Sequence, residues 1–367
     1  SQRVFTMPTL FLHPPSHSPS TATSFHPFLL TLLFITLISS LLAAEPCFFG
    51  WGKNDEGELS TGDKNHVLQP SPFGNGVLYK KNITHIAAGV THSVVVDSEG
   101  RAYCFGSNNF GECGQGVTGG NYPDPREIVS IDTFNHKKIV HASVSKFRTY
   151  LRDEKGNVYY CGKNDFSEVS PQLYNEPMGF VFRQSISCVS VSEHILILSQ
   201  GQVFGFGSNS VGQLGIGKTS ENEPLPVTVN TTGILPGKRI TQISAGGQHS
   251  LLLSSDGQVF GFGQNRHGQL GIGLTSEKEP RPIAVNTTGV LQGKIIIQIS
   301  AGLVHSLVLS SDGQVFGFGD NTYGQLGIGR ITWSEKLPIA VNTTGALQGK
   351  RIVQMSAGTT HSLVLSS

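Results

Sequence analysis

The chain has 367 residues, 26 Lys and Arg against 25 Asp and Glu, and only 14% charged side chains. A neutral chain without a basic arm has no electrostatic footprint for nucleic acid, so no nucleic-acid partner is expected. Its five cysteines, irregularly spaced, form neither a zinc ligand set nor an even disulfide framework.

Residues 1–44 hold one charged side chain, Arg3. Pro27 to Ala44 is an uncharged 18-residue run ending in small residues. It reads as a secretory signal peptide cleaved near Ala44. A membrane anchor through residues 27–44 is the alternative, 18 residues being the short limit of a span; failing both, the segment is a disordered extension. Against a leader, no Lys or Arg lies between Met7 and the run, and Leu42 is bulky for the −3 position. Four sequons, at Asn82, Asn230, Asn286 and Asn342, are N-glycosylation acceptors if the protein is secreted. The last three share one repeat position, and N-T-T-G also reads as a turn. A secreted, extracytoplasmic or membrane-anchored location is expected, with a cytoplasmic one as the alternative.

From Glu45 onward the chain repeats itself. FFGWGKNDEGEL, YCFGSNNFGECG and YYCGKNDFSEV carry Gly52, Gly106 and Gly162; three closer copies of GxVFGFGxN carry Gly207, Gly263 and Gly319, each 56 residues apart. A second element, A-G-x-x-H-S with an apolar run, places His92, His249, His305 and His361. Decayed forms place His194 and, where a histidine is expected, Arg148. Residues 257–311 overlay 313–367 without a gap, with 39 of 55 positions identical. Six copies result, at about 46–99, 100–155, 156–200, 201–256, 257–312 and 313–367. A fixed period of this length marks a repeat architecture.

Within the copy from Gly257, residues 258–262, 281–285, 295–300 and 306–310 are β-prone, and no stretch has helical periodicity. Ser-Ser-Asp-Gly between apolar runs predicts tight primed hairpins. Phe-Gly-Phe-Gly is expected to be the crowded inner strand of a blade, with its rings wedged between neighbours. Four antiparallel strands per copy predict an all-β fold, a β-propeller.

These motifs, GxVFGFGxNxxGQLGxG followed by AGxxHSLxL, resemble the regulator-of-chromosome-condensation repeat over roughly residues 45–367. The resemblance implies a propeller of four-stranded blades. Six blades close if Cys47 to Gly52 completes the last copy; seven are expected if the chain is a fragment. The family's founding member implies a guanine-nucleotide exchange factor acting on a small GTPase, but the motifs are scaffold and do not encode that activity.

Cys104 and Cys161 fall in equivalent strands, where they are either a bridge between blades or small buried apolar residues. One histidine per blade is too widely spaced to converge on a metal, so a structural role is expected, each imidazole bonding a neighbouring loop backbone. Asp256 and Asp312 read as turn residues. No catalytic residue, metal or cofactor is expected.

Differences among the last three copies concentrate in windows following FGxN, following GIG and preceding the His. Loops on a rigid scaffold carry binding residues, and Arg, Tyr and Trp are frequent anchors. Arg266, His267, Tyr323, Arg330 and Trp333 are therefore the candidate partner contacts. The chain reads as a non-catalytic protein-interaction scaffold. A small-GTPase exchange factor, and a secreted inhibitor or carbohydrate-binding propeller, are the alternatives.

Overall fold

The computed structural model describes residues 48–73, 76–128, 137–144, 147–154, 158–162, 186–191, 194–230 and 235–367. Residues 27–44, and with them the signal-or-anchor expectation, lie outside the described residues. Ser1–Glu45 forms one unit and Pro46–Ser367 a second, compact one.

The second unit is built of strands: β1 (Phe48–Gly52), β2 (Val67–Pro72), β3 (Ile83–Ala88), β4 (His92–Asp97), β5 (Ala102–Ser107), β6 (Asn121–Glu127), β7 (Ile139–Val144) and β8 (Arg148–Asp153). There follow β9 (Val158–Gly162), β10 (Ile186–Val191), β11 (His194–Ser199), β12 (Gln202–Asn209), β13 (Ser220–Thr228), β14 (Ile240–Ala245), β15 (His249–Ser254) and β16 (Val259–Asn265). The last are β17 (Ser276–Ala284), β18 (Ile296–Ala301), β19 (His305–Ser310), β20 (Val315–Asn321), β21 (Thr332–Ala340), β22 (Ile352–Ala357) and β23 (His361–Ser366). Among the described residues the helical pieces are single 3-10 turns, such as Gly289–Leu291.

Six antiparallel sheets result. Blades 1 to 5 are β3–β6, β7–β9, β10–β13, β14–β17 and β18–β21; blade 6 has the order β2-β1-β23-β22. Phe48 to Gly52 thus pair with Leu365 to His361. The ring is closed by a strand from the other end of the unit, which makes it six-bladed rather than seven-bladed.

The strand order corrects one expectation. The first strands β14, β18, β22, β3 and β7 lie against one another in succession and are innermost, whereas Phe-Gly-Phe-Gly forms the third strand of its blade. The rings are nevertheless wedged between blades. Phe260 and Phe262 of blade 4 pack with Leu196, Leu198 and Val203 of blade 3, and Phe316 and Phe318 repeat this against blade 4. Glycine in this strand does not mark the axis; at Gly263 it answers a different need. Its φ is +99°, and a Cβ there would lie 2.5 Å from the Gln248 carbonyl oxygen.

The innermost strands are fastened by side chains. Gln298 Oε1 accepts from Met355 N–H (3.0 Å) while its amide donates to Met355 O (3.0 Å). Ser300 Oγ accepts from Ala357 N–H at 2.9 Å. In blade 1 the glutamine position is His85, which donates through Nε2 to Ala142 O (2.8 Å) and accepts at Nδ1 from Gln354 (2.9 Å).

Other differences are local. The hairpin at 254–258 is a three-residue loop, with Gly257 N–H bonding Ser254 O (3.0 Å) and only Gly257 at positive φ, rather than a primed turn. The outer strand β17 starts at Ser276, earlier than expected. Its SEKEPRP run shows no apolar alternation because an edge strand is guarded by charge and proline.

Cysteine chemistry also departs from expectation. Cys104 and Cys113 form a disulfide within blade 1, and Cys161 is a free thiol donating to Glu112 O at 3.1 Å. Cys104 occupies the place that Gly261 holds in blade 4, and Cys113 that of Leu270. In blade 4 a Cβ at Gly261 would meet Leu270 Cδ2 at 3.0 Å. The bridge thus fills an existing contact within one blade and does not cross to the next.

Candidate functional site

Antiparallel order fixes which loops share a face. The first-to-second and third-to-fourth strand connections emerge at one end of each sheet, here the loop face. The Ser-Ser-Asp-Gly hairpins and the N-T-T-G segments emerge at the other, the turn face. All three variable windows therefore belong to the loop face.

The loops are held rigidly. In blade 4, Asn265 Oδ1 accepts from Leu270 N–H (3.1 Å) and its amide donates to Leu274 O (2.9 Å); Asn209 and Asn321 repeat the arrangement. Gln269 Oε1 accepts from His267 N–H at 2.9 Å. Gly268 lies against the outer strand of the next blade, where a Cβ would sit 2.7 Å from Lys336 Cα. Each loop therefore rests on its neighbour.

The five candidate contacts fall into two groups. His267 and Trp333 meet across the seam of blades 4 and 5, with ring centroids 5.9 Å apart. Trp333 is 74% exposed. Arg266 is exposed and paired with Glu277 (2.7 Å). At the seam of blades 5 and 6, Tyr323 packs edge-on against His66 (5.3 Å), with Lys53 5.8 Å above its ring. Arg330 lies 3.6 Å from Glu335. The structure brings Trp333 to His267, and Tyr323 to two blade 6 residues that sequence reasoning did not single out, Lys53 and His66. Both lie in the β1–β2 connection, outside the three near-identical copies whose differences define the variable windows.

The recurring histidines bond a side chain, not the loop backbone expected. Ser306 Oγ donates to Gln269 O (2.7 Å), so its lone pair faces His249 Nε2–H at 2.9 Å. His194 with Ser250, His305 with Ser362 and His361 with Ser93 repeat this from blade to blade, and His92 reaches Thr149. Their Nδ1 atoms are buried without a hydrogen-bond partner. Burial pushes His194, His249, His305 and His361 down to about 3 and His92 to about 4. They are neutral structural links. Between blades 2 and 3 both halves of the link differ: Arg148 replaces the histidine and Ile195 the serine.

Glu58 stands where blades 3, 4 and 5 carry Gln213, Gln269 and Gln325 and blade 1 carries Glu112. Glu58 Oε2 accepts from Glu56 N–H (2.8 Å), but Oε1 is buried without a partner, and burial raises the carboxyl to about 7. No group of three or more His, Cys, Asp or Glu among the described residues is arranged to hold a metal. The sequon asparagines Asn286 and Asn342 accept from Thr288 and Thr344 as turn-forming residues, and the Asn342 amide also donates to Gln69 (3.4 Å) at the seam of blades 5 and 6. Asn82 is exposed and Asn230 half-buried.

Comparison with known proteins agrees with this geometry. The model of the regulator of chromosome condensation (RCC1) repeat matches residues 47–96, 99–149, 200–253, 256–309 and 312–365. The chain belongs to the RCC1 repeat family. A second RCC1 repeat model matches 83–112, 240–269 and 296–325. The RCC1-repeat chain is 29% identical over 337 residues to the mitochondrial RCC1 domain-containing protein RUG3 of Arabidopsis thaliana, covering 86% of this chain and 72% of that protein. It is 25% identical to the ultraviolet-B receptor UVR8 of the same plant, covering 86% and 70%. Its 38% identity to the probable E3 ubiquitin-protein ligase HERC6 of Homo sapiens covers 47% of this chain and only 16% of that protein. Among solved structures, Prp20p of Saccharomyces cerevisiae is similar with a TM-score of 0.68 at 18% identity, covering 89% of this chain and 92% of that one. Such a likeness concerns the fold. The chain is thus an RCC1-repeat β-propeller in architecture.

Proposed function

We propose that the protein is a non-catalytic scaffold that binds a protein partner on its loop face. One observation carries this reading. The repeat copies 257–311 and 313–367 differ at sixteen aligned positions, and twelve of these lie at residues 264–281 and 303–304, in or next to loop-face connections. Rigid loops on a conserved frame suit recognition. Prp20p, whose structure is described together with its binding to Gsp1p and histones, shows that a ring of this fold serves protein partners. Exchange activity toward a small GTPase remains a second reading, resting on fold analogy alone.

The test is partner capture with face-specific variants of the full chain. Replacing Arg266 and His267 by their blade 3 counterparts (Arg266→Ser, His267→Val), with Tyr323→Val, should abolish capture. Changes on the turn face, such as Lys294→Ala, which removes only the pair with Asp312, should leave it intact. The opposite pattern would refute the loop-face assignment. Nucleotide-release assays on small GTPases test the exchange reading.

For location we propose secretion, on the strength of the apolar run at 27–44 and the exposed sequon at Asn82. A mobility shift on N-glycosidase treatment is expected. An unglycosylated protein retaining residues 27–44 would contradict it.

A further inference from the structure

Near-identity of the blades makes the ring its own control, and the seams can be compared position by position. Where the loop of one blade meets the outer strand of the next, three side chains reach the surface. Between blades 3 and 4 they are Lys218, Glu277 and Arg281, with Gly217 facing the Arg281 side chain (Nε 3.3 Å from where a Cβ would lie). Between blades 5 and 6 they are Arg330, His66 and Gln69. Between blades 4 and 5 they are Leu274, Trp333 and Leu337, with Gly273 facing Leu337 (Cδ2 at 3.3 Å). Their exposures are 51%, 74% and 47%. A seam that is polar in its neighbours is wholly apolar here.

No folding requirement explains the change, since the same scaffold carries charged residues one blade earlier. Exposed apolar clusters of this kind mark interaction sites, and Trp is the side chain most enriched in hot spots. The surrounding charge is one-sided. The exposed charged residues of the blade 4 and 5 loop-face connections and outer strands are Arg266, Lys278, Arg281, Arg330 and Lys336, against Glu277 alone. Glu335 is only 22% exposed and lies beside Arg330. An apolar centre with a cationic rim is complementary to a carboxylate-bearing segment with bulky apolar anchors.

We propose that the seam of blades 4 and 5 is a docking site for an acidic-hydrophobic peptide segment of a partner protein, seated on Leu274, Trp333 and Leu337 and flanked by Arg330 and Lys336. The proposal rests on the loop-face reading and names the chemistry of its partner.

The experiment is panning of a random twelve-residue display library on the full chain and on the variant Leu274→Lys/Trp333→Glu/Leu337→Arg. That variant reproduces the seam of blades 3 and 4, which the chain already folds. The wild type should enrich sequences combining Asp or Glu with Leu, Phe or Trp. Peptides resynthesised from that pool should bind at least ten-fold more weakly to the variant and to 0.5 M salt-washed wild type. Unchanged melting of the variant separates docking from folding. Enrichment of basic or uncharged sequences, no enrichment, or equal enrichment on the variant would overturn the proposal. Self-association in sedimentation, lost in the variant, would also overturn it, by assigning the seam to a second copy. Loss of partner capture in Arg266 and Tyr323 variants but not in this one would sink the proposal while leaving the scaffold reading intact.

Discussion

At the scale of single residues, Glu58 has a buried carboxylate oxygen without a partner, whereas both oxygens of Glu112, at the same position in blade 1, accept from Ser107 and Phe110. Its glutamine counterparts use both ends of the amide: Gln325 accepts from Tyr323 N–H (2.9 Å) and donates to Asp320 (2.6 Å). A carboxylate cannot donate, and its buried Oε1 is left without a partner. Burial raises its folded-state value to about 7, above that of the unfolded chain. The folded state then binds more protons than the unfolded one between those values, so stability falls as pH rises through 7. Glu58→Gln should therefore stabilise the ring by about 2 kcal/mol at pH 8 and by little at pH 5, read from urea midpoints. Equal effects at both pH values would contradict this account. The histidines work in the opposite sense. Burial depresses them, so the unfolded chain binds more protons below about 6.5 and stability falls with acid. His305→Leu should flatten the slope of stability between pH 6.5 and 4 by about one proton; an unchanged slope would show that His305 is not a neutral link.

At the scale of strands and loops, the disulfide closes the third strand of blade 1 onto its own loop. Cross-linking a nine-residue separation constrains the unfolded chain by about 2–3 kcal/mol. Cys104→Gly/Cys113→Leu restores the blade 4 pair and should lower the melting temperature by less than reduction of the wild type does, because glycine–leucine packing replaces the bridge. A larger loss in the variant than on reduction would contradict that equivalence. Much of this level was legible in the sequence: the strand count, the hairpins and the variable windows follow from periodicity and turn residues. Two features were not. Strand order is invisible to a pattern in which Phe-Gly-Phe-Gly and the Ile-x-x-Ile-Ser-Ala run are both β-prone and rich in apolar residues. The Cys104–Cys113 pairing depends on a contact between residues nine apart, which emerges only when Gly261 and Leu270 are seen together. Leu274 and Leu337 escaped for another reason, since a lone exposed leucine carries no signal until its neighbours are known.

At the scale of the whole molecule, each blade is linked to the next by a histidine and a hydroxyl, except where Arg148 and Ile195 stand between blades 2 and 3. Closure of the ring by β1 on β23 joins the two ends of the unit, so one rigid frame presents all loop connections on one side. Lysines mark the two faces: Lys53, Lys218, Lys278 and Lys336 lie on or near the loop face, and Lys81, Lys138, Lys294 and Lys350 precede innermost strands at the turn face. Amine cross-linking of the full chain to its captured partner, read by mass spectrometry, tests the central claim most directly. Cross-links from Lys53, Lys218, Lys278 and Lys336 are the predicted result. Cross-links confined to Lys81, Lys138, Lys294 and Lys350 would contradict it.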